Sequence, residues 1–432
     1  MMSRWRGRRP VFYGWIVAGV AALGVFLSGP GQTYSVSTFI NPLLEETGWS
    51  RSLVSSLYSA GTLIAGFTMI LVGRMADTRG YRVMMTLVAL AFAGALMFMS
   101  TVTTPLALFF GFLMIRTFGQ GSLTLIPYSL VPQWFMTNRG KALSLLAAGS
   151  ALSAALLPPL NVVIIENLGW RALWVFWSLV LAGVMAPVAW LLTRNRPEDM
   201  GLRPDGLAAN LRDGSASGRS EYREEYSWTL GQAVATAPFW ILLVVTCIPS
   251  MVGTGAQFHH MSIMEENGVS LAAAAAVFTV TSVTRLLMTP LAGSLCDRLP
   301  VRRVLASTLV VESLSLLLLL VTRTTAMAIA LGVILGLRLS FVVILGGMVW
   351  PHFFGRRHLA SIRGLATSGM VVGSALGPLP FGVAYDYFGG YTEIIVIMAL
   401  MPLAGAVASV FLTRPAPPEA AKPAASWAEG RE

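Results

Sequence analysis

Charge is scarce in this 432-residue chain: Asp, Glu, Lys and Arg together make up 12% of it. A soluble domain carries about 25%, so most of the surface must face hydrocarbon rather than water. Cysteine is nearly absent. Cys247 and Cys296 are the only two, and both lie in or beside apolar runs, so no disulfide framework is expected. The chain has no phosphate-cradling G-x-x-x-x-G-K-[ST] loop, which argues against a nucleotide-driven pump. It has no G-x-S-x-G, no H-E-x-x-H and no Cys/His cluster, so no enzyme, cofactor or metal site is expected. The basic residues, 30 against 20 acidic, are scattered among loops. They do not stripe one face, so nucleic acid is not an expected partner.

What is present is hydrophobic, 55% of the residues. A membrane helix needs about 20 apolar residues. Twelve stretches qualify: 12–40, 52–72, 82–101, 105–130, 141–165, 170–193, 235–263, 271–294, 302–322, 325–350, 360–386 and 391–413. The fold class is therefore an all-α polytopic membrane protein. Gly29-Pro30-Gly31 should bend the first span. The N-terminal MMSRWRGRRP resembles the charged region of a signal peptide. The apolar run after it is too long and lacks a small-residue cleavage site, so it reads as an uncleaved first span.

Loop charge sets the expected orientation. Of the 30 basic residues, only Arg51, Arg171 and Arg323 fall on one side, and Arg116, Arg285 and Arg338 fall inside spans. All the others share the opposite side, which the positive-inside rule assigns to the cytoplasm together with both termini. The polar stretch 194–234 reads as a flexible linker between a bundle at 1–193 and a second at 235–413, and 414–432 as a disordered tail.

The halves repeat one another. GRMADTRGYR carries Gly73, Arg74, Asp77, Arg79, Gly80 and Arg82. GSLCDRLPVRR carries Gly293, Asp297, Arg298 and Arg302 at matching places but lacks the middle glycine. PQWFMTNRGKA (Pro132, Phe135, Arg139) answers PHFFGRRHLASIRG (Pro351, Phe354, Arg357). With two repeats and twelve spans, the chain resembles the major facilitator superfamily over nearly its whole length. The resemblance implies two six-helix bundles rocking about a midplane site by alternating access. The repeated loops would then latch the cytoplasmic gate, with glycines allowing close helix approach and the Asp pairing or capping across the halves. YGWIVAG, RPEDMGLRPDG and FGRRHLASIRGLATSGMVVGSALGPLPFGVAYD look like the bacterial relatives of monocarboxylate and oxalate/formate porters. That implies a small organic anion, moved with a proton or by exchange across a bacterial inner membrane, by a protein that works as a monomer. The glycine-rich span-five stretch of drug/proton antiporters is missing, so an exporter of amphiphilic compounds is the alternative reading. Gly369, Gly373, Gly377 and Gly382 recur at helical spacing in span eleven, a pattern that serves close packing and bending.

Arginine at the centre of a span costs about 2.5–3.5 kcal/mol on insertion scales. Arg116, Arg285 and Arg338 all lie near the midplane, where the resemblance turns them toward a cavity. Guanidinium suits carboxylate because its fork can engage both oxygens. Arg285 is the expected carboxylate ligand, although its spacing to the loop Asp exceeds the usual one by about a helical turn, where Thr289 stands. Arg338 and Arg116 would bias the cavity positive, with Glu312 an alternative partner for Arg338. Gln32, Tyr34 and Tyr58 offer hydrogen bonds to a small ligand. His259 and His260, with Asp386, are candidates for proton coupling or an outer gate.

Overall fold

The computed structural model describes residues 12–135, 138–203, 228–355 and 359–415, and all its regular elements are helices. Eleven helices are long and apolar enough to cross a membrane. Spans 1 to 6 are Gly14–Thr47, Arg51–Ala76, Tyr81–Ser100, Pro105–Trp134, Lys141–Leu168 and Trp170–Leu192. Spans 7 to 10 are Ala237–Phe258, Leu271–Cys296, Val301–Val321 and Thr325–Phe354, and span 12 is Thr392–Val410. Span 11 is a broken pair, Leu359–Leu376 and Pro378–Phe388.

The repeat seen in sequence sets local structure. Ser50 and Ser270 accept from the third residue onward and start spans 2 and 8. Thr104 and Thr324 do the same for spans 4 and 10. Each cap satisfies a backbone N–H that the helix itself leaves unpaired. Gly48 and Gly268, both at positive φ, close the turns after spans 1 and 7, and Gly169 and Gly389 recur likewise.

Span 1 bends where expected: a 3-10 turn at Gly29–Gly31 separates Gly14–Leu27 from Thr33–Thr47. It also runs past the expected end at residue 40. Span 7, expected to be continuous over 235–263, breaks at His259 before a short helix, His260–Glu266. The linker is tied at both ends. Trp134 Nε1 donates to the Arg194 carbonyl, and Trp228 N donates to the Phe354 carbonyl. Residues 204–227, the centre of the expected flexible loop, and 416–432, most of the expected tail, lie outside the described residues.

Burial differs between the halves. In the first, one continuous core runs from Val17 to Ala189. In the second, two clusters form, one around Val277, Leu331 and Ile395 and one around Phe239, Leu305 and Trp350.

The span-eleven glycines do pack closely. Gly369 and Gly373 face Cys247 of span 7, and Gly382 faces Arg51 and Ser55 of span 2. At Gly377 a Cβ would lie 2.2 Å from the Met251 carbonyl oxygen and 2.9 Å from Gly255 N. Backbone cannot yield as a side chain can, so overpacking here costs about 1–3 kcal/mol. Gly377→Ala is expected to lower the melting temperature of the detergent-purified protein. Gly73→Ala, whose Cβ would meet nothing within 4 Å, should leave it unchanged or raise it slightly. Equal melting of the two variants would show that this crossing does not limit stability.

Candidate functional site

The three intramembrane arginines occupy three different environments. Arg116 opens a π-helical turn, Arg116–Ser122, inside span 4. Its Nε donates to Thr62 Oγ1 at 3.1 Å, and one terminal nitrogen donates to the Gly31 carbonyl at 3.2 Å. Its guanidinium lies 4.9 Å from the Tyr58 ring centroid. The bend in span 1 frees carbonyls in a place without water, and Arg116 fills that need. Gly31 and Gly119 make room, since a Cβ on either would lie 2.9 Å from the other's Cα. Arg116 is therefore walled in, 2% exposed, and does not face a cavity in this conformation. Tyr58 belongs to the same wall. It is buried, shares a hydrogen bond with Thr33 Oγ1 at 2.8 Å and packs 4.5 Å from the Phe258 ring. Gln32 Nε2 turns back to Ser28 Oγ at 3.2 Å.

Arg338 is also buried, and it is ion-paired with Glu312 of span 9. Its charge is thus matched and does not bias the cavity positive here. Two spaces border it. Toward the bundle interior lies a cavity of ≈ 650 Å³ separating the two second-half core clusters, with Glu312, His260, Thr281 and Arg363 in its walls. On the other side lies an apolar groove of ≈ 770 Å³ between spans 9 and 10, lined by Leu314, Leu317, Leu337 and Phe341.

Arg285 is the arginine left over. It is half-buried on span 8. Among the described residues its guanidinium has neither a carboxylate partner nor a hydrogen bond. The Tyr34 and Tyr128 phenols of the opposite half lie within its electrostatic range. Its carbonyl accepts from Thr289 Oγ1 at 2.6 Å and Ser340 Oγ at 3.2 Å, which fixes the backbone against span 10. Thr289 is thereby committed to its own helix. Tyr34 donates to Ser153 Oγ at 2.9 Å and faces Phe278 across the halves. The arrangement is one cation, unmatched among the described residues, with two phenols of the other half in electrostatic range. Such a cation can hold an anion. Tyr128 has no sequence signal of its own, because only the fold brings it within electrostatic range of Arg285.

The histidines are not solvated interface groups. His259 is buried, with Nδ1 3.0 Å from the Tyr391 hydroxyl and Nε2 3.2 Å from Ser55 Oγ of the first half. His260 Nε2 meets the Ala274 carbonyl at 3.0 Å, and its ring meets Phe278 edge-on. Asp386 does not pair with either. Its two oxygens accept from Arg51 N at 3.1 Å and Ser52 N at 2.8 Å, capping span 2 from the other half. Arg51 donates to Asn41 Oδ1 and Ser262 Oγ and lies 4.3 Å from the Tyr385 ring centroid. Asn41 donates to Glu265. Nearby, burial pushes the Glu266 carboxyl above its usual range, with Arg51 opposing. Arg51, read from sequence only as a loop charge, is the hub of this end.

At the other end stand the repeated loops. Gly73 borders open space and Gly293 approaches only Ile344, at 3.9 Å, so neither glycine serves close approach here. Arg74, Arg79, Arg298 and Arg302 are exposed. Arg82 binds its own half instead: Nε donates to the Trp190 carbonyl at 2.7 Å, its guanidinium stacks over the Trp190 ring, and its N–H donates to Asn195 Oδ1. Gly80 takes φ +85, and a Cβ there would strike Asn195 at 2.7 Å. The Asp77, Asp297 and Arg139 side chains and residue Arg357 lie outside the described residues.

Comparison with known proteins follows from this architecture. The family model described as Major Facilitator Superfamily matches residues 21–261 and 254–431. No curated protein matches the sequence. Among solved structures, the nucleoside transporter NupG is 14% identical with a TM-score of 0.70, over 93% of this chain and 98% of that one. A bacterial homologue of the human lysosomal transporter Spinster, in an inward-facing and unoccupied conformation, is 16% identical with a TM-score of 0.65, over 94% and 95%.

Proposed function

Since the chain belongs to the Major Facilitator Superfamily and is a secondary transporter rather than an enzyme, we propose that it carries a small organic anion, a monocarboxylate, driven by the proton gradient. The observation that carries this reading is Arg285, a cation without a carboxylate partner among the described residues, on a span tied to the opposite half by Thr279 and the Ala155 carbonyl and within electrostatic range of Tyr34 and Tyr128. A substrate carboxylate supplies the missing charge. Arg285 is the ligand in this reading, and Tyr34 and Tyr128 the hydrogen-bonding neighbours. Arg116 acts at a distance by holding the bend of span 1.

In this reading both termini lie on the cytoplasmic side of a bacterial inner membrane, an orientation that the uneven loop charge supports. By the same reading, the end closed by Arg51 and Asp386 is the outer gate, and the repeated loops lie at the cytoplasmic end. Two units, 1–193 and 235–413, rock about the site. The glycine–aspartate loops latch in the opposite, outward-facing state.

The test is uptake of labelled lactate, pyruvate, oxalate and longer acids into proteoliposomes, with and without an inward proton gradient. Saturable uptake that grows with the gradient is expected. The ≈ 770 Å³ apolar groove beside Arg338 favours a second reading, an exporter of amphiphiles. Failure of all the acids, with gradient-driven movement of an amphiphilic cation or dye, would replace the first reading by the second.

A further inference from the structure

The repeat that pairs Gly48 with Gly268 and Gly169 with Gly389 also pairs Phe92 of span 3 with Glu312 of span 9. The halves treat this place in opposite ways. Phe92 is fully buried in the continuous first-half core, and its ring fills the space beside Gly119. Glu312 is 2% exposed and is the one buried carboxylate among the described residues. Around it the second-half core divides and the ≈ 650 Å³ cavity opens.

The elements packed on Glu312 bring few ionisable groups. Span 10 brings Arg338, span 11 Arg363 and the short helix after span 7 His260, all in the same cavity wall. Span 8 lines the cavity with Val277, Phe278 and Thr281, and span 12 carries no ionisable side chain from Ile394 to Leu412. Gly253 of span 7 faces the carboxylate, 3.9 Å from Oε1 to where a Cβ would stand. The ion pair apart, Glu312 Oε2 and Arg338 Nε make no hydrogen bond among the described residues. A buried pair recovers its desolvation cost only when its remaining hydrogen-bonding capacity is met. This pair is therefore a poor way to hold helices together. An ionisable residue at this depth is by default functional.

We propose that Glu312 carries the co-transported proton. This rests on the proton-driven anion reading above. The step makes and breaks only O–H bonds: a proton from the outer water adds to a Glu312 oxygen and leaves to the inner water. While it is bound, Arg338 is unmatched and the carrier gains one positive charge. One substrate anion, held at Arg285, offsets that charge in the carrier's total. The loaded and empty carriers then hold the same net charge, so one proton accompanies each monocarboxylate.

The experiment uses full-length protein in proteoliposomes, wild type and Glu312→Gln, with labelled lactate, pyruvate and oxalate. Gradient-driven uptake and exchange at equal pH are measured in parallel. The ratio of driven uptake to exchange is expected to fall at least tenfold in Glu312→Gln, and its exchange to lose pH dependence. Glu312→Asp should restore a pH-dependent profile. An unchanged ratio in Glu312→Gln overturns the proposal. A titration by difference infrared spectroscopy covers a variant that does not transport. The wild type should show a protonated-carboxyl band that grows as pH falls and is missing in Glu312→Gln. A wild type without that band overturns the proposal too. A wild type that shows the band but takes up none of the acids overturns the anion reading instead.

Discussion

Arg285→Ala is expected to abolish uptake of the transported acid while the protein still inserts and folds. Removing one member of a desolvated charge pair costs roughly 2–5 kcal/mol, a factor of about 30 or more in affinity. In the proposed anion reading the partner is the substrate, so the loss appears in transport and not in stability. The local fold survives because Thr289 and Ser340 bond the Arg285 carbonyl, which alanine retains. Arg285→Lys should keep a raised KM and partial transport, because an ammonium gives the charge without the fork. Arg116→Ala is the control and should do the reverse. Its guanidinium holds Thr62 and the Gly31 carbonyl inside the core, so its loss leaves a buried acceptor unpaired, at about 1–3 kcal/mol. Melting temperature and uptake, measured on both variants, separate the roles. Wild-type uptake by Arg285→Ala would remove the assigned ligand.

That contrast shows where sequence reading ends. All three arginines were legible as anomalies, since charge in an apolar run is costly wherever it sits. Their partners were not. Arg338 meets Glu312 through the packing of spans 9 and 10, and Arg116 meets a carbonyl that exists only because span 1 bends. The bend was visible, as Gly-Pro-Gly is a local breaker. The π-helical turn that receives it was not, because RTFGQGS has no distinct periodicity. Twelve spans followed from apolar length and the repeat from matched loops. The repeat reaches further than the motifs showed, to the positive-φ glycines and the serine and threonine caps. His259 and His260 are neighbours in sequence, yet the helix break at His259 sends one to Tyr391 and the other to Ala274. The glycine–aspartate loops were legible as a pair from their spacing, but their contacts were not, because those depend on helices far apart in sequence.

The second large effect is expected at the closed end. Asp386 caps the first turn of span 2 from the opposite half, and Arg51 at that same turn reaches Asn41, Ser262 and the Tyr385 ring. Helix geometry makes this strong for its size, because the first N–H groups of a helix have no partner of their own. A lost cap costs about 0.5–2 kcal/mol. A lost cation–π contact costs about 0.5–1 kcal/mol. Asp386 is exposed, so the low end of the first range applies to it. Together with the hydrogen bonds of the Arg51 guanidinium, the double variant Arg51→Ala with Asp386→Ala should weaken the closed end by about 1.5 kcal/mol or more, a tenfold shift toward opening. Neither change touches the intrabundle cores, so the shift should be conformational and not a loss of folding. Spin labels at Glu45 and Tyr387, both exposed and one from each half, report the gap by pulsed electron resonance once Cys247 and Cys296 are replaced. Wild type should give one short separation, and the double variant a second, longer population. Adding a transported acid should redistribute the two, because a ligand moves such an equilibrium only by binding its states unequally. One unchanged short distance in the double variant would mean that His259, Ser55 and the Gly382 contact hold this end without Arg51 and Asp386.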